Sequence, residues 1–308
     1  MDFFTTVKIP KYPFDIHHKY NMLMMGSCFT ENIGNLLKAD RIPVVLNPLG
    51  IMYNPVSIST FLTKAQNRSH YREEDLLHYN NLYHSWDAHG SLSHKDSSNV
   101  IQNLNKHIED TYDYLKKSPL IVITLGTAYA YVHKHTKSVV ANCHKYPQYN
   151  FDKILLSVEE ILEHLSELVQ SLPTIKFLFT ISPVRHWRDG GIENQRSKSH
   201  LFVAIHQLID KYPDACYYFP AYELVMDELR DYRYYNEDML HPNSVAVKFI
   251  YERFSAAFFT DETSKKIAIA QRYEKLIRHR PLHKDNVAYQ AWEQQIAEVK
   301  ENLENIFS

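Results

Sequence analysis

The stretch "NMLMMGSCFTENIG", residues 21–34, decides how the chain is read. Its apolar run, Met22 to Met25, is continuous rather than alternating, as expected of a strand covered on both faces. The run ends at Gly26-Ser27-Cys28 and passes at once into a helix-like pattern over 29–39. A strand, a tight turn and a helix account for the spacing, with Gly26 supplying backbone freedom at the turn. The same arrangement sets the Ser27 hydroxyl at the carboxyl end of the strand, the edge on which open α/β sheets bind ligands.

Outward from that stretch, four more short apolar runs read as buried strands: "PVVL" (43–46), "LIVITL" (120–125), "IKFLFTI" (175–181) and "CYYF" (216–219). Helical patterns fall between them at 55–66, 98–117, 157–172, 195–212 and 243–258. In "SVEEILEHLSELVQSL", Ser157 and Glu160 form a capping-box signature ahead of one apolar stripe. Strands alternating with helices predict a three-layer α/β/α fold with a mostly parallel sheet over residues 1–260. Two segments break the rhythm. Residues 67–97 are polar, aromatic and weakly periodic, which predicts an inserted loop region. Residues 128–150 carry two β-like pieces, "AYAYV" and "SVVAN", joined by "HKHTK", which predicts a hairpin. Residues 261–308 are charged and helical with a break at "RHRPLH", and are expected to form a C-terminal helical extension.

Composition narrows the classes. The chain has 308 residues, of which 44% are hydrophobic and 23% charged, as in soluble globular proteins. A formal net charge of -2 gives no electrostatic reason for a nucleic-acid or anionic-membrane partner. Cys28, Cys143 and Cys216 cannot build a disulfide framework, which suits a reducing compartment. The first residues lack a basic segment followed by an apolar one, and no apolar run reaches membrane-spanning length. A cytoplasmic location is the expectation. Aromatics at 13%, with 22 tyrosines, suit either a carbohydrate-type surface or core and rim packing, and 18 histidines raise the question of a metal.

A serine hydroxyl needs an adjacent base, itself oriented by a third group. "YYNEDMLHPN" (234–243) supplies Asp238 and His241, three apart, with Pro242 fixing the backbone before the last helix of the sheet domain. The Cys28 N–H opens the first helix, where dipole and free donors favour an oxyanion. Cys28 is a rival nucleophile, because a helix start favours a thiolate. In "HKHTKSVVANCHKYP", His133 and His135 share a strand face and would make half a zinc site with Cys143 or His144. Without a Cys-x-x-Cys pairing the segment reads as a polar hairpin, and no metal is assigned. In "SPVRHWRDG", Arg185 and His186 suit an anionic or sugar-like group and Trp187 a stacked ring; loop packing is the alternative. In "YHSWDAHGSLS", His84, Trp86 and His89 would line a pocket if the insertion folds over the strand ends, and would otherwise form a structural cap.

"MGSCFTENIG" resembles the signature of the GSCFA domain family, which is related to the SGNH (GDSL-type) hydrolases. Phe29 keeps the fourth letter of the signature, and Thr30 stands where the family usually has Ala. The resemblance extends through "NPLGIMYNP" (47–55), "TLGTAYAY" (124–131), "VVANCHKYP" (139–147), "ISPVRHWRDG" (181–190), "FPAYELVMDELRDYRYY" (219–235) and "DMLHPN" (238–243), covering most of 20–258. It implies a flavodoxin-like, SGNH-type sheet with Ser27 as nucleophile, His241 as base and acid, and Asp238 orienting the imidazole. It also implies oxyanion donors at the Cys28 backbone, at Gly50 after the second strand, and at an Asn after the third. "LGTAYAY" has no such Asn, which leaves Thr127 or Asn142 for that role. Asn142 and Lys145 are further expected to contact substrate.

The implied activity is cleavage of an oxygen ester through an acyl-enzyme, with no metal or organic cofactor. A small molecule or a carbohydrate O-acetyl ester would be the substrate, the latter by analogy alone. An O-acyltransferase would use the same triad. A non-catalytic ligand-binding protein would keep the fold with a decayed oxyanion hole, and a metal-dependent hydrolase would use the histidine cluster.

Overall fold

The computed structural model describes residues 5–117, 119–279 and 287–307, so most of the expected break at "RHRPLH" lies outside the described residues. The strands are β1 (Met22–Gly26), β2 (Val44–Leu46), β3 (Leu76–Tyr79), β4 (Leu82–Ser85) and β5 (Leu120–Leu125). They continue with β6 (Tyr129–His133), β7 (Val139–Val140), β8 (Phe151–Leu155), β9 (Lys176–Ile181) and β10 (Cys216–Tyr218). The helices begin with α1 (Cys28–Ala39), α2 (Pro55–Gln66), α3 (Ser97–Lys117), α4 (Val158–Ser171) and α5 (Gly191–Lys211). After a short turn of helix, α6 (Ala221–Glu223), come α7 (Ser244–Phe258), α8 (Asp261–Arg278) and α9 (Val287–Phe307).

The five apolar runs pair, all parallel, in the order β2-β1-β5-β9-β10. Counted among themselves these strands run 2-1-3-4-5, the flavodoxin-like order, whose switch point lies between β1 and β5. The run "MLMM" is apolar throughout because each of its residues meets a layer. Met22 and Met24 pack with Leu120, Val122 and Leu178 beneath α1 and α7. Leu23 and Met25 pack with Ile121, Ile123, Phe177 and Phe179 beneath α2, α3, α4 and α5. Each such side chain contributes roughly 1.5–3 kcal/mol by leaving water. The expected capping box opens α4, with Ser157 Oγ accepting from Glu160 N at 3.1 Å and Glu160 accepting from Ser157 N at 2.7 Å.

The insertion is an antiparallel β3–β4 hairpin that turns at Asn80-Asn81, whose φ values of 49° and 59° are those of a primed turn. It docks on the loop after β2, where His89 N donates to Leu49 O at 2.8 Å. The expected hairpin is present as β6–β7, but β8 pairs with the other edge of β6 to make three strands. That third strand does not read as one in sequence. Only Phe151 is buried, Asp152 and Lys153 are exposed, and Ile154 and Leu155 are half-buried, so no period of two shows. In the C-terminal extension, α8 is tied to the body by Gln271 donating to the buried Asp40 carboxylate at 3.0 Å. The indole N–H of Trp292 donates to Leu276 O at 3.0 Å and joins α9 to α8. Among the described residues no helix is long and apolar enough to cross a membrane.

Candidate active site

The turn after β1 is fixed by close approach. Gly26 has φ +134°, and a Cβ there would lie 2.0 Å from Thr124 O of β5. Its N–H donates to Asn47 Oδ1 at 2.9 Å, and Ser27 N donates to Thr124 O at 3.1 Å. Thr30, at the signature's departure point, is buried and donates its hydroxyl to Met25 O at 3.4 Å. Ser27 is the N-cap of α1, and its Oγ accepts from Phe29 N at 3.3 Å. The serine is fully buried, and no hydrogen bond joins it to His241 among the described residues. The Cys28 N–H stands at the first position of α1, where the helix itself offers it no acceptor. Burial pushes the Cys28 thiol up, so the thiolate expected at this helix start is not favoured.

Asp238 and His241 do meet. His241 Nδ1–H donates to Asp238 Oδ2 at 2.6 Å, while Leu240 N and His241 N both donate to Asp238 Oδ1 at 2.9 Å. Those backbone donors, and then the imidazole, hold the carboxyl down to about 2. Met239 takes φ 59° so that the loop can curl around the carboxylate. The pair is open to solvent, with 42% of the His241 side chain and 46% of that of Asp238 exposed.

Several expected contacts are spent elsewhere. The Gly50 N–H donates to Asn47 O at 2.7 Å, closing the turn after β2, so it is not an available oxyanion donor. Gly50 is required there because a Cβ would meet His89 Cβ at 2.2 Å. Thr127 N donates to Tyr53 O at 3.1 Å, and its hydroxyl is shared between Ser197 Oγ and Tyr129 N. That removes Thr127 as a donor too. Among the described residues the Asn142 side-chain N–H groups have no partner, and its Oδ1 accepts His144 N at 2.8 Å. His84 is a buried cap rather than a substrate contact: Nε2–H donates to Tyr79 O and Nδ1 meets Ser93 Oγ. His89 caps its own turn through Ser91 and lines neither cavity described below. Trp86 stacks on His133 at 5.0 Å, inside the same aromatic cluster as His144.

The loop after β9 divides two cavities. Arg185 and Trp187 face one of about 380 Å³, together with Tyr232, Tyr235 and Asp238. His186 and Arg188 face the other, of about 640 Å³, with Tyr53, Asn142 and Lys145. Between them His186 packs edge-on against Tyr53, ring centroids 5.2 Å apart. Among the described residues its Nε2 is buried without a partner, as is Arg185 Nε. Burial, then the nearby Lys198 and His241, push the His186 imidazole down to about 4.

Lys198 is the residue that motif reading missed. It is fully buried in α5, and its Nζ donates to Gly126 O and Ser182 O, both at 2.7 Å, tying together the chain ends that leave β5 and β9. Burial pushes this ammonium down to about 7. Its sequence signal was position: Lys198 shares the inward stripe of Leu201, Ile205 and Leu208, where a lysine is out of place.

Among the described residues, no group of three or more His, Cys, Asp or Glu side chains is arranged to hold a metal ion. His133 is turned to Thr136 and His144 Nε2–H to Ser85 O, while burial pushes Cys143 up to about 11. Comparison with known proteins bears on the family. No curated protein matches the chain significantly. A crystal structure from Bacteroides fragilis, described as a "putative acylhydrolase", is similar at 10% identity with a TM-score of 0.40. The match covers 83% of this chain and 91% of that one, and at this level it carries no argument. The turn, the dyad loop and the segments around them fall within residues 21–254, which match the model of the GSCFA family; the chain belongs to that family.

Proposed function

We propose that the protein is a serine ester hydrolase of SGNH type, acting on the acyl ester of a small molecule or carbohydrate through an acyl-enzyme. The observation that carries the reading is the Asp238–His241 pair, with its carboxylate fixed by two backbone donors and its Nε2 without a hydrogen-bond partner among the described residues. Nε2 takes the proton of Ser27 as Oγ attacks the carbonyl carbon and returns it to the leaving alcohol. Water repeats the sequence on the acyl-enzyme. The Cys28 N–H and the Asn142 amide are the uncommitted donors for the oxyanion. The resting serine caps its helix, and turning its hydroxyl off that cap costs about 0.5–2 kcal/mol, small beside a chemical barrier. Catalytic hydrogen bonds often tighten only when substrate is bound.

Full burial of Ser27 favours a second reading, a ligand-binding protein that has lost catalysis. One experiment separates the two. The wild type is expected to hydrolyse p-nitrophenyl acetate and to take up a fluorophosphonate on Ser27, whereas Ser27→Ala and His241→Ala do neither. Equal turnover in all three proteins, or none in the wild type, leaves the binding reading.

A further inference from the structure

The larger cavity is charged against the balance of the chain. The protein carries a formal charge of -2, yet Lys145, Lys153 and Arg188 line this cavity against one carboxylate, Asp189. Lys153 is ion-paired to Asp189 and lies 4.4 Å over the Tyr129 ring. Lys145 and Arg188 have no ion-pair partner among the described residues, so two positive charges are left over for a ligand.

Lys145 is also held at the rim at a cost. His144 and Lys145 are consecutive non-glycine residues with φ of 48° and 56°, a left-handed region that residues with a Cβ rarely adopt. Asn142 Oδ1 accepts His144 N at 2.8 Å, and His144 Nε2–H donates to Ser85 O at 2.7 Å, which locks the turn. Strain of this kind persists where the surroundings over-determine it, and it clusters at binding sites. The walls carry Tyr53, Tyr129, Tyr131, Tyr146 and Phe151, with polar groups of Asn142 and Gln148 beside them. A volume of about 640 Å³ suits a ligand larger than an acetyl group, within the roughly 300–1,000 Å³ of small-molecule sites.

We propose that this cavity binds an acidic saccharide: sugar rings laid on the aromatic walls, with a ring carboxylate paired to Arg188 and Lys145. Aromatic faces accept the C–H face of a pyranose, and guanidinium pairs with carboxylate through two parallel hydrogen bonds. Ser27, Asp238 and His241 do not line this cavity, which meets the site proposed above through Asn142 and His186; the inference rests on that reading for the chemistry, while the binding stands without it.

The test is calorimetric titration of the full chain, wild type and Ser27→Ala, with galacturonate and glucuronate trisaccharides, neutral galactotriose and inorganic phosphate. At least one acidic trisaccharide is expected to bind both proteins about tenfold or more tighter than galactotriose. Its affinity should fall with added salt and drop about tenfold or more in the Lys145→Ala/Arg188→Ala double variant, with thermal melting confirming that the variant is folded. Absence of binding by both acidic sugars at 10 mM overturns the proposal, as does equal affinity for galactotriose or for phosphate. Acidic-sugar binding without p-nitrophenyl acetate turnover fells the hydrolase reading alone; turnover without acidic-sugar binding fells this one alone.

Discussion

Two segments at the same edge of the sheet are built on opposite terms. The turn at Gly26-Ser27-Cys28 is dictated by its neighbours: β5 touches it, Asn47 holds its amide, and Ser27 itself is fully buried. The loop at Asp238–His241 is exposed and held by its own short-range hydrogen bonds. Parallel strand geometry sets the position of the alcohol, whereas the imidazole stands on an element whose placement few long-range contacts enforce. In such an arrangement the precise member is the buried one and the adjustable member the exposed one, so closure on a substrate would be made by the loop.

Substitutions in each segment should therefore fail differently. The largest effect is expected from Asp238→Asn. The amide keeps the two backbone hydrogen bonds but loses the charge that steadies a protonated His241, so ester turnover should fall about 10³–10⁴-fold. The midpoint of urea denaturation should stay where it is, because the side chain is exposed; a large stability loss would contradict the self-contained loop. Next comes Gly26→Ala, which places a methyl group on Thr124 O at a φ that alanine rarely adopts. A loss of about 3 kcal/mol or more by urea denaturation is expected, and a loss below about 1 kcal/mol would show that the turn is less constrained than its geometry says.

The smallest effect belongs to Lys198→Met, where two buried carbonyls lose their donor at a cost of about 1–2 kcal/mol at pH 7. The sign of its pH dependence is definite. With the folded ammonium pushed down to about 7, the unfolded chain binds the extra proton between pH 7 and about 10.4, so native stability rises with pH across that window. The wild type should gain on Lys198→Met from pH 7 to pH 9, read from denaturation midpoints in paired buffers, and a constant difference would place the charge outside the core.

Most of the sheet could be read from sequence because its strands are buried on both faces, so "MLMM" and "LIVITL" appear as unbroken apolar runs. The capping box at Ser157 was legible for the same local reason. β8 was not, since Asp152 and Lys153 interrupt its pattern and its partner β6 defines it from outside. At the candidate site, the spacing of Asp238 and His241 carried their contact. The roles imagined for Gly50 and Thr127 did not survive, because a backbone amide's acceptor depends on which loop folds over it: Tyr53 O takes the amides of Gly126 and Thr127, and Asn47 O that of Gly50. Lys198 stayed hidden for a related reason. Its partners are two carbonyls, and carbonyls carry no residue type.

The segment from Arg185 to Arg188 hands successive side chains to alternate sides, so one stretch of backbone furnishes both chambers. Inserting or deleting a single amino acid between Val184 and Trp187 would therefore exchange the furnishings wholesale, sending the indole where the imidazole had been. Diversification of such a protein would proceed more readily by swapping letters in place than by changing the length of this strip.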